Sequence, residues 1–321
     1  MKKFFIVLLC IMIALSASSC QNAPDNVNEK LNIVCTVFPQ YDFIRQIAGD
    51  KVNLSLLLPP GSEAHSYEPT PEDVIKLKNA DLLVATGGES EHWVIHLLNG
   101  EEIKNTPVIY LMDTVTKHIA EHTGVIENIT HSHAHNHSKD CEHPDEEYDE
   151  HIWTTPSNAI LMCREICNNL KMIDKENSLY YQTNADNYIK KLQNLSDGFI
   201  EAAKNAKRNS LVFGDRFPFR YMTEELSLEY FAAFPGCSSK TEPSAATLVF
   251  LTEKIKAEKI PAIFYVDYSD GRVAKAIAKE CNIKVLRMYS CHSLSRQDFT
   301  NGETYLSLME RNLKSIKEAL N

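Results

Sequence analysis

The chain has 321 residues, of which 44% are hydrophobic and 24% are charged. This balance is typical of a folded protein of about two domains and excludes a wholly disordered chain. The formal net charge of −10 argues against nucleic acid as a partner, because phosphate binding needs a basic surface. An acidic surface suits a cation, and no glycine-rich phosphate loop indicates a nucleotide site.

The N-terminus has the pattern of an export signal. Two lysines precede an apolar run, 4–17, which is shorter than the roughly 20 residues that span a bilayer. The run ends in Ala17-Ser18-Ser19-Cys20, which resembles a bacterial lipobox in which the cysteine is acylated. We expect a signal peptide over 1–19, a lipid anchor on Cys20, a flexible tether over 20–30, and function outside the cytoplasmic membrane.

Beyond the tether, short β-rich runs alternate with helices. Helices are predicted to begin at Thr70-Pro71 and Thr155-Pro156, where a capping threonine precedes a proline. A longer helix is predicted over about 184–206, although Gly198 argues against its continuity at a cost of about 1 kcal/mol. The predicted strands are 31–37, 54–58, 82–85, 211–214, 262–266 and 284–289. The alternation predicts an α/β fold in two halves on either side of the long helix, with a last helix over 305–320.

The segment 131–149 has a different composition. Histidines and acidic residues dominate it, and apolar residues are almost absent, so the segment is predicted to be a surface loop. It contains five of the twelve histidines: His131, His133, His135, His137 and His143. One interpretation is a weak zinc collector that raises the local metal concentration, and the other is a solvated acidic insertion without a role.

His65 and His151 each lie between a predicted strand and a predicted helix, where α/β folds place ligand sites. Either histidine alone is more often a surface or core residue than a ligand. Together with the histidine-rich loop in an exported acidic protein, they indicate a transition-metal site. Imidazole suits zinc, whereas manganese prefers oxygen donors.

Four segments in order carry a family resemblance. They are PPGSEAHSYEPTPED at 59–73, HIWTTPSNA at 151–159, the long helix, and TEPSAATLVFLTEKI at 241–255. They resemble the substrate-binding lipoproteins of zinc and manganese ABC importers, over nearly the whole chain after the tether. The resemblance implies two α/β lobes with parallel-sheet cores, joined by one rigid helix that allows little closure, and a metal held between the lobes by four side chains.

The resemblance also implies the domain limits and the partners. We expect an N-terminal lobe over 31–180, a linker helix over 181–207 and a C-terminal lobe over 208–321. The partners would be an ABC transporter permease with its ATPase, and the lipid bilayer through acylated Cys20. The protein is expected to be a monomer on the extracytoplasmic face of the cell membrane.

On the family pattern, His65 matches the first metal ligand and His151 the second. The third is usually histidine or glutamate, and the place of the histidine falls on Gly214 in Phe213-Gly214-Asp215, so Asp215 is the nearest oxygen donor. An ion pair of Asp215 with Arg216 or Arg220 is the alternative.

The place of the fourth ligand falls on Ser293, and we take the adjacent His292 as that ligand. Asp267 and Asp270, after another predicted strand, are weaker candidates. Glu89 and Glu91 lie after a strand and could contact the permease.

Seven cysteines remain after Cys10 and Cys20, and no CxxC motif occurs among them. Cys237 and Cys291 are predicted to lie in loops that face the cleft. A disulfide between them, two free thiols, and metal ligation by Cys291 all remain open.

The sequence therefore predicts a non-catalytic, high-affinity zinc-binding lipoprotein that delivers the ion to an importer. A manganese-specific component and a metal-dependent adhesin or metal-storage protein are the alternatives. A zinc hydrolase is disfavoured, because no HExxH motif is present.

Overall fold

Two parallel β-sheets form the framework of the protein, whose computed structural model describes residues 30–62, 67–98, 103, 106–120, 148–234 and 243–321. The predicted signal peptide, Cys20, His65, Cys237 and the five histidines of the loop lie outside the described residues. Within the described ranges, no helix is both long and apolar enough to cross a bilayer.

The first sheet defines the N-lobe. Its strands are β1 (Leu31–Cys35), β2 (Val52–Leu56), β3 (Leu82–Ala85) and β4 (Val108–Tyr110). They run parallel in the order β2-β1-β3-β4. The helices between them are α1 (Phe38–Ala48), α2 (Pro71–Lys78) and α3 (His92–Leu98). Central strands β1 and β3 are rich in buried aliphatic residues, as a parallel sheet covered on both faces requires.

The second sheet defines the C-lobe. Its strands are β5 (Ser210–Phe213), β6 (Glu229–Ala232), β7 (Ala262–Val266) and β8 (Lys284–Met288), parallel in the order β6-β5-β7-β8. Five helices follow these strands: α6 (Arg220–Leu226), α7 (Ala245–Glu258), α8 (Arg272–Cys281), α9 (Arg296–Thr300) and α10 (Tyr305–Leu320). The predicted class, two α/β lobes with parallel sheets, is confirmed.

Two helices lie between the sheets in sequence, α4 (Pro156–Ile173) and α5 (Ser178–Lys204). The predicted helix starts are confirmed, because the Thr70 and Thr155 side chains accept bonds from the backbone N–H groups of Asp73 and Asn158. α5 has 27 residues and continues through Gly198, so the expected interruption of the helix at this glycine is wrong. A Cβ on Gly198 would lie 2.9 Å from the Leu313 side chain of α10, which shows that glycine allows close packing.

The lobes are joined by hydrogen bonds as well as by α5. The Asp42 carboxylate of α1 accepts the backbone N–H of Tyr305 at 2.7 Å, and the Tyr305 hydroxyl donates to the Trp153 carbonyl at 2.6 Å. The Phe43 ring packs edge-on against Tyr305, with centroids 4.9 Å apart. The first turn of α10 is therefore fixed in the N-lobe, beside the loop that carries His151.

Candidate metal centre

His151 lies at the start of the short 3₁₀ turn Ile152–Thr154 that leads into α4, and its side chain is 2% exposed. The Oδ1 oxygen of Asp149 accepts the His151 backbone N–H at 2.8 Å and also contacts the ring Nδ1 of His151 at 3.0 Å. A carboxylate on Nδ1 fixes the orientation of an imidazole and directs Nε2 toward a metal. His151 is thus held in the geometry typical of a histidine ligand.

Asp149 is itself fixed by the surrounding backbone. Its N–H donates to the Ile119 carbonyl at 2.8 Å, and its carbonyl accepts the Tyr221 hydroxyl of the C-lobe at 2.9 Å. The carboxylate is fully buried, and Oδ2 has no hydrogen-bond partner among the described residues. Asp149 is not among the site residues predicted from the sequence. An acid two residues before a candidate ligand, in Asp149-Glu150-His151, is the signal that could have found it.

His292 lies in the loop after β8, and 8% of its surface is exposed. Its carbonyl accepts the backbone N–H of Phe38 at 3.3 Å, and the Trp153 indole N–H donates to the Ser290 carbonyl at 2.8 Å. Both donors belong to the N-lobe side of the molecule. The C-lobe loop that carries His292 is therefore attached to the segment that carries His151.

The structure brings these two candidate ligands together. The His151 and His292 ring centroids are 5.5 Å apart, with the rings nearly perpendicular, and the Trp153 ring lies 4.9 Å from that of His292. Two imidazoles on one tetrahedral zinc, with Zn–N bonds of about 2.0–2.1 Å, place their centroids roughly 5 Å apart. The observed separation fits a shared ion with little adjustment.

Asp215 lies after β5, buried, at the edge of a cavity of about 280 Å³. Its oxygens accept the backbone N–H groups of Arg216 at 2.9 Å and Val266 at 3.3 Å. Burial raises the pKa of its carboxyl. Arg220 donates to the Ala120 carbonyl rather than to Asp215. Asp215 thus ties the ends of β5 and β7 together.

The described residues do not complete a metal site by themselves. Among them, no three histidine, cysteine, aspartate or glutamate side chains are grouped to hold an ion. The structure brings His151 and His292 together but does not add Asp215 to the pair, and His65 lies outside the described residues. A Cβ on Gly214, where the resemblance places the third ligand, would lie 2.6 Å from the Ala274 backbone of α8.

Comparison with known proteins gives the family. Residues 33–319 match the ZnuA family, described as zinc-uptake complex component A, periplasmic. The chain belongs to this family.

Among curated relatives, the zinc-binding lipoprotein AdcA of Streptococcus pneumoniae (strain ATCC BAA-255 / R6) is 33% identical over 99% of this chain. This chain spans 61% of the length of that relative. The high-affinity zinc uptake system protein ZnuA of Bacillus subtilis (strain 168) is 28% identical over 98% of this chain and 96% of its own length. The crystal structure of the Zn(II)-bound ZnuA-like domain of S. pneumoniae AdcA matches with a TM-score of 0.71 at 32% identity, over 91% of this chain and 99% of that one.

Asp267 and Asp270, the weaker ligand candidates, have other contacts in this member of the ZnuA family. Asp267 is buried after β7, and its Oδ1 accepts the backbone N–H of Ser290 at 2.7 Å, two residues before His292. Burial raises the pKa of Asp267 to about 6. Asp270 accepts the backbone N–H of Arg272 at the start of α8. Asp267 therefore holds the His292 loop, as Asp149 holds His151.

Cys291 is a free, fully buried thiol in this structure, which agrees with the free-thiol alternative, and Cys237 lies outside the described residues. The Cys291 backbone has a φ of 59°, and its sulfur contacts the Tyr289 carbonyl at 3.7 Å. Burial raises the pKa of this thiol well above its ordinary value. The left-handed turn directs Cys291 into the core while the next residue, His292, lies beside His151.

Glu91, which the sequence left as a residue that could contact the permease, is buried, so its side chain is not available for such a contact in this structure. The Glu89 side chain lies outside the described residues. The Glu91 carboxylate accepts the backbone N–H groups of Thr86 and Gly87 at 2.7 and 3.0 Å and contacts the Thr36 hydroxyl. Burial raises the pKa of Glu91 to about 7. This carboxyl fixes the loop after β3.

Proposed function

We propose that this protein binds zinc between its lobes outside the cytoplasmic membrane and delivers it to an ABC import permease. The observation that carries the proposal is the pairing of His151 with His292, two imidazoles from opposite lobes whose centroids are 5.5 Å apart. Membership of the ZnuA family and the similarity to the pneumococcal zinc-binding lipoprotein AdcA support the same conclusion.

We propose His65, His151 and His292 as three ligands and Asp215 as the oxygen donor nearest to the third place. Closed coordination by protein groups suits a carrier, because a catalytic zinc keeps a position open for water. Alanine at His65 or His292 is expected to weaken zinc binding by orders of magnitude in calorimetry, with Asp186→Asn on the exposed face of α5 as the folded control. Unchanged affinity in the His292→Ala protein would remove that residue from the ligand set.

We favour zinc over manganese because the candidate set is dominated by imidazole, and manganese prefers oxygen donors. Competition titrations of the purified protein with each metal test this choice. If manganese bound as tightly as zinc or more tightly, manganese would be the better candidate for the transported metal, and the proposed carrier role would be unaffected.

We propose membrane attachment through acylated Cys20 and partnership with a permease and its ATPase. The lipobox-like segment at 17–20 supports the anchor. Labelling with a radioactive fatty acid is expected in the intact chain and absent from Cys20→Ala. Uptake of radioactive zinc in cells lacking the protein tests the transport role, since a storage protein would not change the initial rate of uptake.

Metal entry and release are proposed to occur with little movement between the lobes. The support lies in backbone bonds at the lobe junction: Gly61 N–H donates to the Leu294 carbonyl at 2.6 Å, and Arg45 donates to the Glu303 carbonyl at 3.0 Å. Closing the cleft by a large hinge motion would break such bonds. Small-angle X-ray scattering with and without zinc should give nearly the same radius of gyration.

A further inference from the structure

Exposed apolar side chains concentrate at the turn between α4 and α5. Of the ten large apolar side chains exposed within the described ranges, four fall between residues 172 and 180: Met172, Ile173, Leu179 and Tyr180. Leu179 is 79% exposed and Met172 63%. We call these four residues the turn patch. Apolar residues scattered singly are ordinary, whereas a cluster indicates a surface that contacts protein or membrane.

The turn patch lies beside the point where the chain enters the fold. The Tyr180 ring centroid is 5.5 Å from Nζ of Lys51. Lys51 precedes Val52, which pairs with Leu31, the first residue of β1. One turn further along α5, Asn184 donates to a backbone carbonyl of α1 at 3.0 Å, which fixes the helix against this edge. An anchor attached to the chain before Leu31 would therefore be connected to the fold at a point close to the turn patch.

We infer that the turn patch rests on the outer leaflet of the membrane in which the acyl chains of Cys20 are anchored. The inference depends on the lipid anchor of the proposed function. Ten residues, 21–30, separate Cys20 from the fold, and they span at most about 36 Å even when fully extended. The anchor thus keeps the patch within reach of the bilayer, and a half-exposed tyrosine beside aliphatic residues suits the headgroup region.

The charges around the patch favour apolar contact over attraction to anionic lipid. Lys51 and Lys175 are exposed beside it, and Asp174 and Glu176 lie in the same turn. These charges balance, whereas the chain as a whole carries −10. The patch is therefore a nearly neutral area on an acidic protein, and its contact with lipid is expected to persist at high salt.

This contact sets a resting orientation for the carrier. The patch begins at the end of α4, and His151 lies just before its start. The 18 residues of α4 give a length of about 27 Å. With the patch on the lipid, the paired histidines lie beyond the far end of α4, held away from the membrane surface.

The test uses the full acylated chain in vesicles of phosphatidylethanolamine and phosphatidylglycerol that contain nitroxide-labelled lipid. Tryptophan is introduced by Leu179→Trp, or at the matched exposed position of the C-lobe by Val249→Trp. We expect severalfold stronger quenching at position 179, in low and in high salt. Equal quenching in a protein that takes up the fatty-acid label would overturn the inference and leave the anchor and zinc binding unaffected.

A second measurement separates lipid from another protein copy. The unacylated mature chain, residues 21–321, is compared with the same chain carrying Leu179→Ser and Met172→Ser. We expect the parent to associate with the vesicles and the variant to bind about tenfold more weakly, because two large apolar side chains lose their burial. A dimer of the parent in sedimentation equilibrium that the variant abolishes, without vesicle binding, would assign the patch to a second copy instead.

Discussion

Replacing Asp149 should weaken zinc binding although the residue is not proposed to touch the metal. Its Oδ1 holds both the backbone N–H and the ring Nδ1 of His151. We expect the backbone bond to be the same in the free and the zinc-bound protein, so it should contribute little to the binding free energy. The ring contact changes when Nε2 gives up electron density to the metal, and a hydrogen bond to a charged group contributes about 1.5–3 kcal/mol in a buried setting.

The expected effect of Asp149→Ala is therefore a loss of about 10–100-fold in zinc affinity, equivalent to about 1.4–2.7 kcal/mol. In Asp149→Asn the amide oxygen still accepts both bonds and only the charge is lost, so its affinity should fall between those of Ala and the parent. Competition with a zinc-chelating indicator measures the constants. Circular dichroism checks the fold, and Asp186→Asn on α5 is the matched surface control.

The order of zinc affinity among the parent, Asp149→Asn and Asp149→Ala is the decisive result. If Asp149→Ala binds zinc as tightly as the parent while remaining folded, the carboxylate does not orient a metal ligand, and His151 loses its main structural support as one. If Ala and Asn are equally weak, charge rather than orientation is what Asp149 supplies.

Four further outcomes are expected. Gly214→Ala should lower stability by about 1–3 kcal/mol in thermal unfolding, because its Cβ meets the α8 backbone at 2.6 Å; an unchanged melting temperature would contradict this packing. The pKa of Glu91 is raised from 4.5 to about 7, so the free energy of unfolding of the parent should fall as pH rises from 4.5 through 7. At pH 8 the Glu91→Gln protein should be the more stable of the two, by up to about 3 kcal/mol. Parallel curves of stability against pH for the two proteins would disprove the shift. Deleting 131–143 should slow zinc uptake under starvation, and unchanged uptake would favour the solvated insertion. Mass spectrometry of the non-reduced protein should find Cys291 as a thiol, and a bridge to Cys237 would contradict the buried geometry.

Local features of the fold could be predicted from the sequence, and features that depend on distant contacts could not. The caps at Thr70 and Thr155 act within four residues, so the pattern identifies them. The beginning of α5 at Ser178 lies six residues before the predicted one, since no capping side chain marks it. Edge strands β4 and β6 are short and only partly buried, so they fall outside the predicted set, whereas the similarly short β3 and β5 are buried throughout. Gly198 could not be judged without knowing that α10 packs against it.

The candidate site divides in the same way. The resemblance proposed His151 and His292 from motif positions, and the structure brings their rings together, although their role as ligands stays a prediction. Asp149 and Asp267, which hold these histidines, became recognisable only when the backbone groups they bind were known. The inward direction of Cys291 depends on a left-handed backbone conformation, which could not be predicted from the sequence because the residue is not a glycine.

The tight approach of Gly214 to α8 limits which residue this position can hold. Two backbones are in contact there, so any side chain at Gly214 would first require the helix to shift. A donor from this end of β5 therefore has to be supplied by a neighbouring residue such as Asp215. The preference of the proposed site for one metal over another would then be set by the loops that carry the donors, and not by the last position of the strand.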